Sequence, residues 1–174
     1  MAVIEDRDAL TALVAELAKR VRELEIKDQA TGAMHRYWRV LDYKLFDELD
    51  DCFTEDADAD WGTADWQAIG RQAIVDFLHA NESRSDLRLS HFGHNTEITV
   101  LSDSEATGIF KLEDWVTIGG LTVMRGFGQY NMAFRKGEDG RFRISRLRLL
   151  HDYREENRIF IDGGMLSMTP SLDA

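Results

Sequence analysis

A carboxylate stands at a position where a buried apolar side chain is expected. Residues 109–116 alternate as a strand does, so that Phe110, Leu112, Asp114 and Val116 share one face. An ionised Asp among core side chains must be hydrogen-bonded, paired with a cation or driven towards its neutral form. Asp114 is therefore a candidate for acid–base chemistry in a lined cavity, and a structural core carboxylate is the alternative.

Two histidines repeat this pattern on other strands. His91 follows Leu87 and Leu89 at alternate positions, and His151 follows Leu149 in the same way. Three titratable groups that face apolar surroundings from separate strands indicate a cavity whose lining can carry out acid–base chemistry. The alternative is that all three are core polar residues with satisfied hydrogen bonds, because structural networks also perturb titration.

His91 is the candidate general base, because an imidazole can accept or release a proton near neutral pH. Such a base needs a carboxylate on its other ring nitrogen to orient it. Asp42 and Asp114 are available from separate elements, whereas Asp42 taken alone resembles the ordinary solvated acids around it, such as Asp47. The residues by themselves leave the choice of partner open.

The other polar groups carry weaker signals. His94 completes a His-x-x-His spacing with His91, but residues three apart on a strand face opposite ways unless a bulge at Gly93 intervenes, so we expect no metal site. Tyr37 and Tyr130 can donate to a substrate oxygen or bond to backbone within the core. The sequence contains no metal, nucleotide or flavin motif, and we expect no cofactor.

The composition predicts one globular domain spanning residues 1–174. The 174 residues are 44% hydrophobic and 30% charged, and no apolar run is long enough for a transmembrane helix. The net charge of −11 argues against nucleic acid or anionic membranes as partners. A single cysteine, Cys52, and the lack of a visible secretory signal predict the cytoplasm.

Segment 8–27 is predicted to be a helix with an apolar stripe along one side. The stripe residues follow heptad spacing: Leu10, Val14, Leu17, Val21 and Leu24. The stripe can pack on the body of the protein or pair with a second subunit. We favour the second reading and expect a homo-oligomer, a dimer or a trimer, in which residues 1–25 are the assembly element.

Beyond this segment the periodicity changes from helical to alternating. A second helix is expected over 29–40, followed by a break and a short helix, then a strand at 57–61 and a helix over 70–80. Four long strands joined by turns rich in Gly, Ser and Asp follow: 87–101, 105–118, 121–135 and 141–153. Glycines inside these strands are expected to mark bulges. No structure is predicted for the tail, 157–174.

Helices followed by a long antiparallel sheet make an α+β protein, with room for a pocket between the layers. Five stretches resemble the SnoaL-like branch of the nuclear-transport-factor-2-like superfamily: Tyr37-Trp-Arg-Val-Leu-Asp42, Leu-Phe-Asp-Glu-Leu49, His91-Phe-Gly-His94-Asn-Thr-Glu-Ile98, Ala106-Thr-Gly108 and Leu112-Glu-Asp114. The resemblance covers about residues 22–156. It is closest to the bile-acid 7-alpha-dehydratase group and more distant to scytalone dehydratase. It implies a cystatin-like, cone-shaped barrel whose curved antiparallel sheet wraps around N-terminal helices.

The resemblance also implies the identity of the catalytic residues. In the bile-acid group a helix Tyr, a helix Asp, a strand His and a strand Asp line the active cavity. By motif position these fall on Tyr37, Asp42, His91 and Asp114. Scytalone dehydratase implies the same pairing of Asp42 with His91. His151 stands where the bile-acid group has an arginine, and Val116 replaces the second active histidine of scytalone dehydratase.

The implied activity is that of a cofactor-independent dehydratase or isomerase using His and Asp as general base and acid. The implied substrate is a hydrophobic ring compound with a hydroxyl and a carbonyl, steroid-like or polycyclic aromatic. Five further side chains are expected to contact it: His151, His94, Tyr130, Phe110 and Trp38. The alternative is a non-catalytic ligand-binding module or a structural small subunit like that of ring-hydroxylating dioxygenases.

Overall fold

The computed structural model describes residues 2–162 and 165–170. The elements follow in this order: α1 (Ala2–Asp42), a 3-10 helix (Phe46–Cys52), β1 (Phe53–Asp60), β2 (Gln67–Ile69), α2 (Arg71–Glu82), β3 (Leu87–Ser102), β4 (Glu105–Ile118), β5 (Leu121–Lys136), β6 (Phe142–Asp162) and β7 (Met165–Pro170). A long helix followed by a curved sheet confirms the predicted α+β class.

The described strands form a curved sheet that does not close into a complete barrel. Its six main strands lie in the order β2-β1-β6-β5-β4-β3, and β7 pairs only with the far end of β6. The predicted antiparallel meander holds from β3 to β6. The sheet is then extended by β1, which pairs with β6 in parallel, and by β2 on its outer edge. Part of the tail without predicted structure thus continues β6 and forms β7.

The C-terminal half of α1 packs against the sheet and supplies the centre of the core. Ala30, Ala33, Met34 and Tyr37 are fully buried there. Large strand side chains face them: Phe53, Phe110, Phe134, Phe142 and Ile144. Because each such side chain contributes roughly 1.5–3 kcal/mol on full burial, this layer fixes where the end of α1 lies on the sheet.

α1 is one continuous helix, in contrast to the two helices expected over 8–27 and 29–40. No proline interrupts the junction, and Ile26 and Ala30, one turn apart, are both buried against the body, so packing carries the helix through. Every residue from 7 to 25 is exposed, and this half of α1 projects as an arm. Although α1 is 41 residues long, no described helix is apolar enough along its length to cross a bilayer.

Candidate active site

A cavity of about 420 Å³ lies between the C-terminal half of α1, the end of α2 and the sheet. Small-molecule pockets span roughly 300–1,000 Å³, so this volume suits an ordinary organic ligand. Most of the wall is apolar, as at Leu41, Trp61, Leu78, Leu89, Val116 and Leu149. Nine polar side chains also line it: Tyr37, Thr63, Asn81, Glu82, His91, Asp114, Tyr130, His151 and Arg154.

His91 and Asp42 form a hydrogen-bonded pair at one side of this cavity. Asp42 is the last residue of α1, and its Oδ1 lies 2.6 Å from Nδ1 of His91. Its other oxygen accepts the backbone N–H of His91 at 3.1 Å. Because a carboxylate accepts, Nδ1 must carry the hydrogen and Nε2 keeps a lone pair. No described protein group bonds Nε2, so His91 is held in the form of a general base.

The ring of Trp38 supports this imidazole. It stacks on His91 with the ring centroids 5.9 Å apart and the planes at 7°. The indole occupies space that only a glycine leaves open, because an added Cβ at Gly93 would lie 2.3 Å from its Cζ3. Trp38 does not line the cavity, contrary to the expectation of substrate contact. It positions the imidazole instead.

Asp114 and His151 form a second polar group on the sheet side of the cavity. Oδ1 of Asp114 and Nε2 of His151 are both buried, and neither has a hydrogen-bond partner among the described residues. Gly126 lies between them, because an added Cβ there would be 2.2 Å from Oδ1 of Asp114 and 3.3 Å from Cδ2 of His151. Burial of such atoms without a partner is costly, and a ligand hydroxyl, which both donates and accepts, would satisfy them.

The electrostatics favour a neutral imidazole at His151. Its burial lowers its pKa, and the nearby carboxylate of Asp114 offsets part of this effect. A neutral imidazole can donate one hydrogen bond and accept another. His151 is therefore suited to hold a substrate oxygen.

Two tyrosines also line the cavity. Tyr37 and Tyr130 are almost completely buried, and their rings meet edge to face with centroids 6.5 Å apart. The hydroxyl of Tyr37 accepts a hydrogen bond from Nε1 of Trp61 at 2.9 Å, which leaves its own hydrogen to be donated. Burial raises the pKa of both tyrosines, so both remain protonated donors.

Glu82 is a cavity residue that the sequence reading missed. It ends α2, is only 8% exposed, and no described group forms a hydrogen bond with its carboxyl. Burial raises its pKa, and attraction to His91 and Lys44 offsets part of that. The signal was present in the sequence, because Glu82 continues the four-residue spacing of Ile74 and Leu78, which are both buried.

Four other placements differ from the sequence-based expectation or have no sequence signal. His94 is exposed and Phe110 is enclosed in the core, so neither lines the cavity. The reason at His94 is that β3 and β4 stay in register through Gly93, and alternation turns His94 outwards. By alternation Tyr153 would share the inward face of His151, but a bulge in the β5–β6 pairing precedes it and turns it outwards. Arg154 lines the cavity, although no sequence pattern points to it.

The arrangement can therefore move protons and hold an oxygen-bearing ligand. It combines a carboxylate-oriented imidazole, two buried acids and two tyrosine donors around an apolar space. Among the described side chains, no three of the His, Cys, Asp or Glu type converge as a metal-ligand set.

Comparisons with known proteins place this site in context. Residues 22–148 match the model of the SnoaL-like domain. A provisionally assigned scytalone dehydratase from Novosphingobium aromaticivorans is 20% identical, with a TM-score of 0.72 over 89% of this chain and 99% of that chain.

Two further solved structures share the fold. Hexachlorocyclohexane dehydrochlorinase LinA-type3 from Novosphingobium barchaimii is 14% identical, with a TM-score of 0.66 over 89% of this chain and 96% of that one. ActVI-ORFA from Streptomyces coelicolor is 16% identical, with a TM-score of 0.63 over 74% of this chain and 98% of that one. At these identities the likeness is one of fold.

Proposed function

The chain belongs to the SnoaL-like domain family, and from this premise we propose that it is a cofactor-independent lyase, a dehydratase, or an isomerase that uses the same groups. Its substrate is a hydrophobic ring compound that carries a hydroxyl and a carbonyl. The observation that carries this proposal is the pair of Asp42 and His91, whose imidazole borders a largely apolar cavity.

The reaction begins with His91 as the general base. Its Nε2 removes a proton from the carbon next to the substrate carbonyl, and the electron pair of that C–H bond enters the conjugated system. Asp42 stabilises the imidazolium that forms, because it already accepts the proton of Nδ1. General base catalysis of this kind contributes on the order of 10²–10⁴-fold to the rate.

The second step expels the hydroxyl as water. The C–O bond breaks as an acid donates a proton to the leaving oxygen, and the proton on His91 restores the acid afterwards. Asp114 and Tyr37 are the acids that we predict from the sequence. Glu82 joins them, because burial favours its protonated form. Tyr130 is suited to donate to the carbonyl oxygen, where negative charge develops.

The substrate class follows from the shape and polarity of the cavity. A largely apolar space of about 420 Å³ favours a fused-ring compound over a small polar acid. The resemblance to the bile-acid 7-alpha-dehydratase group supports a steroid-like framework. The names of two fold neighbours, a scytalone dehydratase and a hexachlorocyclohexane dehydrochlorinase, describe eliminations from ring compounds and support the same reaction class.

The test compares two histidines that lie three residues apart on β3. His91→Ala and the matched control His94→Ala are assayed on β-hydroxy ketones built on steroid and fused aromatic rings, with formation of the conjugated product followed by absorbance. We expect His91→Ala to lose activity by at least 100-fold. We expect His94→Ala to be unaffected, because His94 is exposed and outside the cavity. Full turnover by His91→Ala would exclude the mechanism.

The alternative is a ligand-binding module or a structural small subunit without catalysis. The unpartnered atoms of Asp114 and His151 would bind an oxygen-bearing ligand whether or not a reaction followed. Saturable quenching of tryptophan fluorescence by the same ketones, with no product formed by the wild type, would favour this alternative. Co-purification with a large iron–sulfur subunit would favour a structural role.

We also propose that the chain forms a homo-oligomer. The apolar stripe of α1 is not covered by the body of the protein, because its five residues are 50–64% exposed. Of the two readings of the stripe, packing against a second subunit is the one that this exposure supports.

A further inference from the structure

The projecting arm of α1 has an apolar face that no described part of the chain covers. The exposed fractions of its stripe residues are 61% for Leu10, 57% for Val14, 50% for Leu17, 52% for Val21 and 64% for Leu24. Most helix stability in proteins comes from packing an apolar face rather than from helix propensity. The arm is therefore expected to be stabilised by something outside the monomer.

We propose that this stripe is the seam of a parallel, two-stranded coiled coil formed with a second copy of the chain. In heptad notation the two valines occupy a positions and the three leucines occupy d positions. β-Branched residues at a combined with leucine at d favour two parallel strands. The occupant is therefore a second arm, identical to the first.

The residues that flank the stripe distinguish parallel from antiparallel pairing. The a positions beyond its two ends are Arg7 and Asp28. In a parallel pair in register, each of the five stripe residues packs against the same residue of the other copy. In an antiparallel pair, residues at a positions face residues at d positions. One register then places Leu24 opposite Arg7, and the next register places Leu10 opposite Asp28. Either one leaves a leucine opposite a charge, so the parallel arrangement buries more apolar surface.

The charges beside the seam also fit a parallel pair. Arg20 is at a g position and Glu25 is at the following e position, and g and e' residues face each other across parallel coiled coils. Arg20 of each copy thus faces Glu25 of the other. In the single chain Nε of Arg20 forms an ion pair with Oε1 of Glu16, one turn away on the same helix, at 3.0 Å, and both side chains are exposed.

The position of the body leaves room for a second helix. At 3.6 residues per turn, the direction of the stripe is about 180° from the α1 face that Ile26, Ala30, Ala33 and Tyr37 bury in the core. Two arms can therefore pack along their stripes while the two bodies lie on outer sides of the pair. Beyond Leu24, the face of α1 that carries the stripe becomes polar, first at Asp28. The seam therefore ends before α1 reaches the body of the protein.

The first experiment measures mass in solution by analytical ultracentrifugation of the full chain. We expect a wild-type dimer at tens of micromolar. The dimer of the double variant Val14→Asp/Val21→Asp should have a dissociation constant at least 100-fold higher. Ala15→Asp, on a different face of the same arm, is the matched control and should remain dimeric. A monomeric wild type, or a double variant that assembles like wild type, would overturn the proposal.

The second experiment tests orientation through an engineered disulfide. In a parallel pair the two copies of residue 10 face each other, so Leu10→Cys should form a covalent dimer on oxidation, whereas Ala15→Cys should not. The native Cys52 does not compete, because it is fully buried and burial raises its pKa to about 12. A non-covalent dimer of Leu10→Cys that fails to cross-link would refute the parallel arrangement. Neither readout depends on turnover, so each result is separate from the proposed activity.

Discussion

The two halves of α1 differ in surroundings although they belong to one uninterrupted helix. The C-terminal half is buried against the sheet and ends in Asp42, which orients His91 in the cavity. The N-terminal half, from residue 7 to residue 25, has no buried residue. We thus propose two purposes for one element: its packed half orients His91 through Asp42, and its projecting half offers an apolar stripe to a second copy.

This contrast predicts that changes in one half leave the property of the other half intact. The largest expected effect is that of Asp42→Asn on turnover of the hydroxy-ketone panel. An amide in place of the carboxylate cannot stabilise the imidazolium, so we expect a loss on the order of 10²–10⁴-fold. The mass in solution should not change. Asp47→Asn, an exposed acid nearby, is the control and should keep full activity. A change in the mass in solution would contradict the independence of the two halves of α1.

A smaller effect is expected on stability, from two glycines in contrasting surroundings. Gly126→Ala places a methyl group 2.2 Å from Oδ1 of Asp114, and overpacking of this kind costs about 1–3 kcal/mol. Gly32→Ala, within α1, meets no atom within 4 Å and should stabilise the helix by roughly 0.5–1 kcal/mol. Urea denaturation at one fixed protein concentration measures both. Equal effects of the two changes would show that the cavity side of the sheet is not tightly packed.

The smallest effect concerns the pH dependence of stability. Burial raises the pKa of Glu82, so the folded state keeps a proton that the unfolded chain has already released. The stabilisation from this retained proton is complete below the ordinary Glu pKa of about 4.3, and it is lost as pH rises through the higher pKa of the folded state. Glu82→Gln should therefore stabilise the protein at neutral pH and reduce the decline in stability above about pH 4.

The control for this measurement comes from the arm. Glu16→Gln removes a carboxylate of the same type at an exposed position, where its ion pair with Arg20 contributes little to stability. Its thermal melting curves at pH 5 and pH 8 should follow those of the wild type. A Glu82→Gln variant that melts as the wild type does at both pH values would contradict the burial of a proton at Glu82.

The long strands and the convergence of His91 and Asp114 followed from local signals. Alternation along β3 and β4 identifies which side chains share a face, and the structure places the two residues opposite each other in neighbouring strands. The motif resemblance supplied Asp42, which alternation alone could not distinguish from solvated acids. The apolar stripe of α1 is also predictable, because its heptad spacing is visible in the sequence.

Other features could not be predicted from local patterns. The parallel pairing of β1 with β6 joins segments about 90 residues apart, such as Ala59 with Leu147, and no turn between them specifies it. Whether Trp38 lines the cavity or lies behind His91 depends on the space left by Gly93. The burial of Glu82 depends on how α2 lies over the cavity. Each is settled by tertiary packing between distant segments.

The central claim is that Asp42 holds His91 with the proton on Nδ1 and a lone pair on Nε2. Long-range proton–nitrogen correlation NMR on ¹⁵N-labelled protein reports which ring nitrogen carries the proton, and His91→Ala identifies the signal. Above neutral pH we predict a protonated Nδ1 and an unprotonated Nε2 in the wild type, and loss of this preference in Asp42→Asn. A proton on Nε2 of the wild-type imidazole under the same conditions would contradict the proposed base.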